Sequence, residues 1–321
     1  SGTAAKAATL DFYSGHTAIP QRGPLAALTT AGTISGWQEA LKVSSEMGGK
    51  LPLSRLLEPA ISHARNGIVV TESQARLTAE KLSQLEDVSG FKQHFMQGGV
   101  LPDAGSLMVQ SKLADTLERM SKAGLDDFYR GEIAEAIGNE FARLGSPIRA
   151  EDLNAYHASQ VTPLSVQLQG STIYNLPPPT QGLASLMILG IVDQLGLKSV
   201  DDFDYMHTLI EATKRAFRVR DKVVTDPDRL PHNPMDFLTP EVLKQLSAEI
   251  DPSTALPWPD PAQPGDTIWM GCIDSEGTAV SFIQSIYWEF GSGVVLQDTG
   301  INWQNRGISF SLTPSDLQAL E

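Results

Sequence analysis

Apolar positions recur at two spacings along this chain, and the spacing assigns most of its elements. Ala8-Thr9-Leu10-Asp11-Phe12-Tyr13 alternates and is rich in β-formers, which predicts a strand. Ser14 to Pro24, with Gly15, Pro20, Gly23 and Pro24, reads as a loop. Helical spacing predicts Trp37 to Met47, closed by Gly48-Gly49. It next predicts Pro52 to Ala64, with Leu53, Leu56, Leu57 and Ile61 on one face, a kink at Pro59 and a stop at Asn66-Gly67. Further helices are predicted over Thr71 to Leu85, Lys112 to Ala123, Glu132 to Leu144 and Ala150 to Ala158.

The second half begins with two short strands in Leu164 to Leu176, broken at Gly170. Pro177-Pro178-Pro179 then leads into a uniformly apolar, buried helix, Leu183 to Leu195. Asp201 to Val224 reads as the longest helix, charged on one face. After a Pro-rich run, Pro252 to Pro264, an apolar strand opens at Thr267. It ends at an Asp274-Ser275-Glu276-Gly277 turn, and a second strand, Thr278 to Tyr287, runs back, giving a hairpin expected to be buried. Pattern alone supports no more than α+β with antiparallel strands.

Composition narrows the function classes. The 321 residues carry a formal charge of −14, which argues against nucleic acid and anionic membranes as partners. A locally positive site for an anionic substrate stays open. Cys272 is the single cysteine, so no internal disulfide is possible, and it reads as a structural thiol in the first hairpin strand. No apolar run approaches the ~18–20 residues of a membrane-spanning helix. The six histidines are scattered without HxxxH or CxxC spacing, so no metal site and no cofactor are expected. A cytoplasmic location is the expectation.

The linker and hairpin carry the chemistry. A Pro-spaced linker that delivers one Thr to the first position of a hairpin suits a self-cleaving N-terminal-nucleophile hydrolase. In such an enzyme the Thr hydroxyl attacks the peptide bond before it, and the freed α-amine becomes the base for that hydroxyl. Asp266 and Thr267 flank the bond that would be cut. The plainer reading of Thr267 is a β-favouring strand residue.

The segment from Thr267 to Phe310 resembles the start of the small subunit of γ-glutamyltranspeptidases. The landmarks are Glu289-Phe290-Gly291-Ser292-Gly293-Val294-Val295 and Asp298-Thr299-Gly300-Ile301-Asn302. Upstream, Leu10-Asp11-Phe12, Gly49-Lys50-Leu51-Pro52-Leu53, Leu57-Glu58-Pro59-Ala60-Ile61, Pro177 to Gly182 and Glu211 to Phe217 fall in the order of the family's large subunit. The resemblance implies an α/β (α+β) Ntn-hydrolase αββα sandwich, two stacked antiparallel sheets flanked by helices. It implies that residues 1–266 belong to the large subunit and 267–321 begin the small one, with both ends short of the family's length. It also implies Thr267 as nucleophile and Ser285, where the family has a Thr, as the hydroxyl that hydrogen-bonds it. The family's oxyanion-hole glycines would fall beyond Glu321.

Departures from the family pattern shape the expected substrate. Where the family has an Arg for a substrate carboxylate, this chain has Tyr13, or Ser14 or His16 if the loop is shifted. The Gln and Asp that grip the substrate amine are replaced by Arg306 and Ser309, and an Asn on the hairpin by Tyr287, followed by Trp288. A pocket that loses an acid and gains an Arg favours a carboxylate-bearing substrate without an amine. The expected activity is therefore hydrolysis of a small carboxylate-bearing amide, of the oxamate amidohydrolase type. Alternatives are a glutaryl-cephalosporin acylase type, true γ-glutamyl transfer or hydrolysis, and a non-catalytic binding protein on the same frame.

Overall fold

The computed structural model describes residues 2–96, 98–196, 202–258 and 267–320. Its contacts divide the chain into two compact units, 1–159 with 264–321, and 160–263. These folding units do not follow the proposed subunit boundary at 266/267, which is a boundary of chemistry along one continuous chain.

The first unit is mainly helical. Helices α1 (Thr33–Glu46), α2 (Leu53–Asn66), α3 (Glu72–Leu85), α4 (Phe91–Phe95), α5 (Ser111–Ala123), α6 (Asp127–Arg130), α7 (Glu132–Leu144) and α8 (Ala150–Ala155) occur in chain order. A short antiparallel ladder joins β1 (Ile68–Val69) to β2 (Leu107–Met108). Local chemistry sets several boundaries. The Thr71 hydroxyl accepts the Gln74 N–H and caps α3, and Gly67 and Gly124 end α2 and α5. Pro59 lies inside α2, as expected, and the helix continues past it to Asn66.

The core of this unit gathers Tyr129, Ile137 and Phe141 from the helices around Leu28 and Trp303. Trp303 is 1% exposed, meets the edge of Phe141 at 4.9 Å, and donates its indole N–H to the Thr29 carbonyl at 3.1 Å. Burial of an aromatic this size contributes several kcal/mol.

The expected strand at Ala8 to Tyr13 is not formed. The Tyr13 N–H reaches back to the Thr9 carbonyl at 3.2 Å, and the Thr9 hydroxyl accepts the Phe12 N–H at 3.2 Å. Ala8 and Tyr13, five positions apart rather than on the alternate positions of a strand, are buried and Phe12 is not. A local turn delivers this burial.

The second unit packs β3 (Leu164–Leu168) antiparallel to β4 (Ser171–Asn175) against α9 (Gly182–Gln194), with α10 (Phe203–Val223) and α11 (Pro240–Ala248). Leu183, Leu186, Met187 and Ile191 are buried, as a helix apolar on every side requires. On α10 the buried Glu211 carboxylate takes hydrogen bonds from Lys214 Nζ at 2.6 Å, Arg215 Nη1 at 2.8 Å and the Leu256 N–H at 3.1 Å. Lys214 Nζ also donates to the Leu256 carbonyl at 2.6 Å, so the chain is moored at Leu256.

The hairpin returns to the first unit as β5 (Ile268–Ile273) paired antiparallel with β6 (Ala279–Gln284). Asp274 makes the turn by accepting the N–H groups of Glu276 and Thr278 at 2.9 and 2.8 Å. Contrary to expectation the hairpin is exposed: all six β5 residues are open to solvent, Cys272 included. Its apolar residues lie on both faces, the composition of a strand covered on both sides. The described residues supply no third strand and no layer over it. Among the described residues no helix is long and apolar enough to cross a membrane.

Candidate active site

The register of the hairpin places its chemistry. Ile268 pairs with Gln284, Trp269 with Ile283, and so on to Ile273 with Ala279. Continued one step outward, the same register sets Thr267 opposite Ser285. Directly opposed residues hold their Cβ atoms ~4.5–5.5 Å apart, within reach of a hydroxyl–hydroxyl contact. Thr267 is exposed, and Asp266 lies outside the described residues.

Beyond Ser285 the chain turns sharply. Tyr287 and Phe290 have φ of 80° and 62°, a region that side-chain-bearing residues rarely enter. The Tyr287 N–H donates to Ser285 Oγ at 2.8 Å. The Tyr287 ring stacks near Trp288, with centroids 6.3 Å apart and planes 20° apart. Its hydroxyl accepts from Ser309 Oγ at 3.1 Å, and the Arg306 guanidinium stands 4.7 Å from its centroid. Four of the residues expected at the substrate site, Tyr287, Trp288, Arg306 and Ser309, are therefore one contiguous cluster, tied to Ser285 by a backbone hydrogen bond.

Charge is distributed unevenly here. Glu289 faces two cations, Arg22 Nη2 at 3.6 Å and Lys81 Nζ at 3.8 Å. Burial lowers the Arg22 pKa from its ordinary value, and the Glu289 carboxylate acts in the opposite direction. Among the described residues no carboxylate forms an ion pair with Arg306, whose guanidinium lies against the Tyr287 ring.

Tyr13 stands elsewhere. It is 1% exposed within the core, its hydroxyl donates to the Leu25 carbonyl at 2.8 Å, and burial pushes its phenol well above the usual range. A side chain so enclosed, with its polar atom already engaged, is a packing residue, and the substrate-contact role expected of it is withdrawn.

Arg22 and Asn305 escaped the sequence reading. Asn305 is fully buried; its Oδ1 accepts the Trp288 N–H at 3.2 Å and its Nδ2 donates to the Gln21 carbonyl at 3.0 Å. The available signal was slight: Gln21-Arg22-Gly23 is a polar tripeptide in a Pro-bounded loop, and Asn305 sits beside Arg306. Among the described residues no group of three or more His, Cys, Asp or Glu side chains gathers as a metal would need.

Known proteins are similar to this chain in sequence and fold. The family model described as Gamma-glutamyltranspeptidase matches residues 1–320. A Klebsiella pneumoniae protein named oxamate amidohydrolase proenzyme is 52% identical over 321 residues, covering 100% of this chain and 61% of its own length. The crystal structure of a cephalosporin acylase from Bacillus halodurans superposes with a TM-score of 0.89 at 33% identity, covering 100% of this chain and 60% of that one. A Helicobacter pylori gamma-glutamyltranspeptidase structure gives a TM-score of 0.68 at 28% identity, over 74% of this chain and 68% of that one. The chain thus spans about three fifths of the length of such curated relatives. Its fold is the Ntn-hydrolase fold of these transpeptidases and acylases.

Proposed function

The chain belongs to the gamma-glutamyltranspeptidase family, and from that premise we propose that it is part of a self-cleaving amidohydrolase whose nucleophile is Thr267. The Thr267 hydroxyl attacks the Asp266 carbonyl, and the peptide nitrogen leaves as the Thr267 α-amine, with an ester in its place. Water hydrolyses the ester and yields two subunits, residues 1–266 and a second beginning at Thr267. The free amine then takes the proton of its own hydroxyl, directly or through a water. The hydroxyl attacks a substrate amide carbonyl, the nitrogen leaves with a proton as ammonia or an amine, and water releases the acid.

The observation that supports this reading is the hairpin register, whose outermost pair, Ile268 with Gln284, would bring the Ser285 hydroxyl opposite Thr267 if continued by one residue. The substrate class rests on Arg306, which lacks an acidic partner among the described residues, and on the name of the Klebsiella relative. An oxamate-like amide has a carboxylate for Arg306 and no ammonium needing an acid. Tyr287 and Trp288 crowd the space beside it and favour a small acyl group. The reading takes a small-molecule amide as substrate, no nucleic acid or membrane as partner, and a cytoplasmic setting.

The test is intact mass and N-terminal sequencing of the full-length protein. Two pieces, the lighter beginning Thr267-Ile268-Trp269, are expected, together with ammonia release from oxamate above that from γ-glutamyl or glutaryl amides. A glutaryl amide as the best substrate would favour the acylase type, to which the Bacillus halodurans structure is similar. A chain that stays whole would favour a non-catalytic protein.

A further inference from the structure

Arg22 lies in the loop before Pro24, far in sequence from the hairpin, yet it grips the turn that follows Ser285. Its side chain is 8% exposed. Nη1 donates to the carbonyls of Glu289 at 2.6 Å and Gly291 at 2.5 Å, Nη2 approaches the Glu289 carboxylate, and the guanidinium lies 5.4 Å from the Trp288 ring. One planar cation therefore makes four contacts with three residues of a single turn, Trp288, Glu289 and Gly291. Its fork geometry suits this task and that of an ammonium does not.

The turn needs such a grip. Left-handed backbone at Tyr287 and Phe290 costs on the order of 1 kcal/mol per residue and persists only where the surroundings over-determine it. Two other anchors assist. The Phe290 ring meets Phe91 and Phe95 edge-on at 5.4 and 4.9 Å, and Asn305 holds the Trp288 N–H. Gly291 closes the turn where a Cβ would stand 2.5 Å from the Trp303 carbonyl oxygen.

What the turn controls is the site. The Tyr287 N–H donates to Ser285 Oγ, and the left-handed Tyr287 backbone aims a ring that carries Arg306 and Ser309. We propose that Arg22 is a positioning residue for the Thr267 site: by clamping the Glu289 and Gly291 carbonyls it anchors the turn after Ser285, holding the Tyr287 N–H against Ser285 Oγ and the Tyr287 ring beneath Arg306. This rests on the reading of Thr267 as nucleophile. Arg22 touches no reacting atom and acts through Tyr287.

The experiment uses the full-length protein and its Arg22→Ala and Arg22→Lys variants, with circular dichroism to establish folding. In a Thr267→Ala background, hydrogen exchange over residues 285–291 reads the clamp without any chemistry. Arg22→Ala is expected to lose at least tenfold in protection there and little elsewhere. With Thr267 present, it is expected to self-cleave at least tenfold more slowly and to be rescued by methylguanidinium but not by ammonium. Arg22→Lys is expected to fall between parent and Arg22→Ala; it carries the test if the Ala variant does not fold. A folded variant that cleaves and turns over at the parental rate overturns the proposal. A parent that stays whole while Arg22→Ala loses protection removes the Thr267 reading, leaves Arg22 a structural clamp, and overturns the positioning role.

Discussion

The guanidinium of Arg306 stands 4.7 Å from the centroid of the Tyr287 ring, with no carboxylate beside it among the described residues. A cation held on an aromatic face keeps its charge and leaves its N–H edge available for a ligand. If that ligand is the substrate carboxylate, Arg306→Ala should raise KM roughly 10- to 100-fold, the worth of a charge-assisted hydrogen bond, and change kcat much less. Arg306→Lys should recover part of the loss. Steady-state kinetics on oxamate decide it, and an unchanged KM would remove the role.

Ser285 should matter to the first cut as well as to turnover. Ser285→Ala removes the hydroxyl opposite Thr267 and should slow self-cleavage by about 10²-fold, the scale of a positioned proton-transfer or polarising group. Ser285→Thr keeps the hydroxyl and should stay near the parental rate. A time course of band splitting on a denaturing gel separates the two.

His94 predicts an acid limit to stability. It is part-buried beside Phe95, its Nε2 is 2.8 Å from Gln110 Nε2, and burial pushes its pKa down to about 4 from 6.5. The unfolded chain therefore binds the proton more readily than the folded one between those values. Stability from this group is fully present above about pH 6.5 and is lost as pH falls toward 4. The loss should be on the order of 1–3 kcal/mol, and His94→Gln should flatten that part of the profile. Urea unfolding at a series of pH values measures it.

Glu211 should be costly to remove. Burial alone would raise its pKa, but hydrogen bonds from Lys214 and Arg215 outweigh this and the net shift is downward. Glu211→Ala would leave two largely buried cations without their partner, at about 3–5 kcal/mol. Glu211→Gln should cost less. Chemical denaturation followed by circular dichroism provides the comparison.

Much of this was legible because it is local. The Asp274-Ser275-Glu276-Gly277 turn announced the hairpin, and α7 began and ended where Glu132 and Gly145 said it would. Helix α11 was also legible in principle: Thr239 caps it by accepting the Val242 N–H, and Pro240 opens it, a signal passed over amid proline-rich surroundings. The Ala8 to Tyr13 segment misled because its alternation is only a composition pattern: the Thr9 carbonyl and hydroxyl capture the Tyr13 and Phe12 N–H groups, and the turn buries Ala8 and Tyr13, which a strand would point to opposite faces. Arg22 was out of reach for another reason. Its partners are 267 and 269 positions away, and no local rule links a loop arginine to carbonyls at such a distance. The exposed hairpin shows the same limit, since a strand's composition says that it wants cover but not what provides it.

The mooring of Leu256 by Glu211 and Lys214 bears on what scission accomplishes. Leu256 and Asp266 are ten positions apart. After scission a terminus at Asp266 would remain covalently tied to that anchor, within about 35 Å of it, the greatest reach of ten residues. Breaking one bond would free a terminus without releasing a peptide.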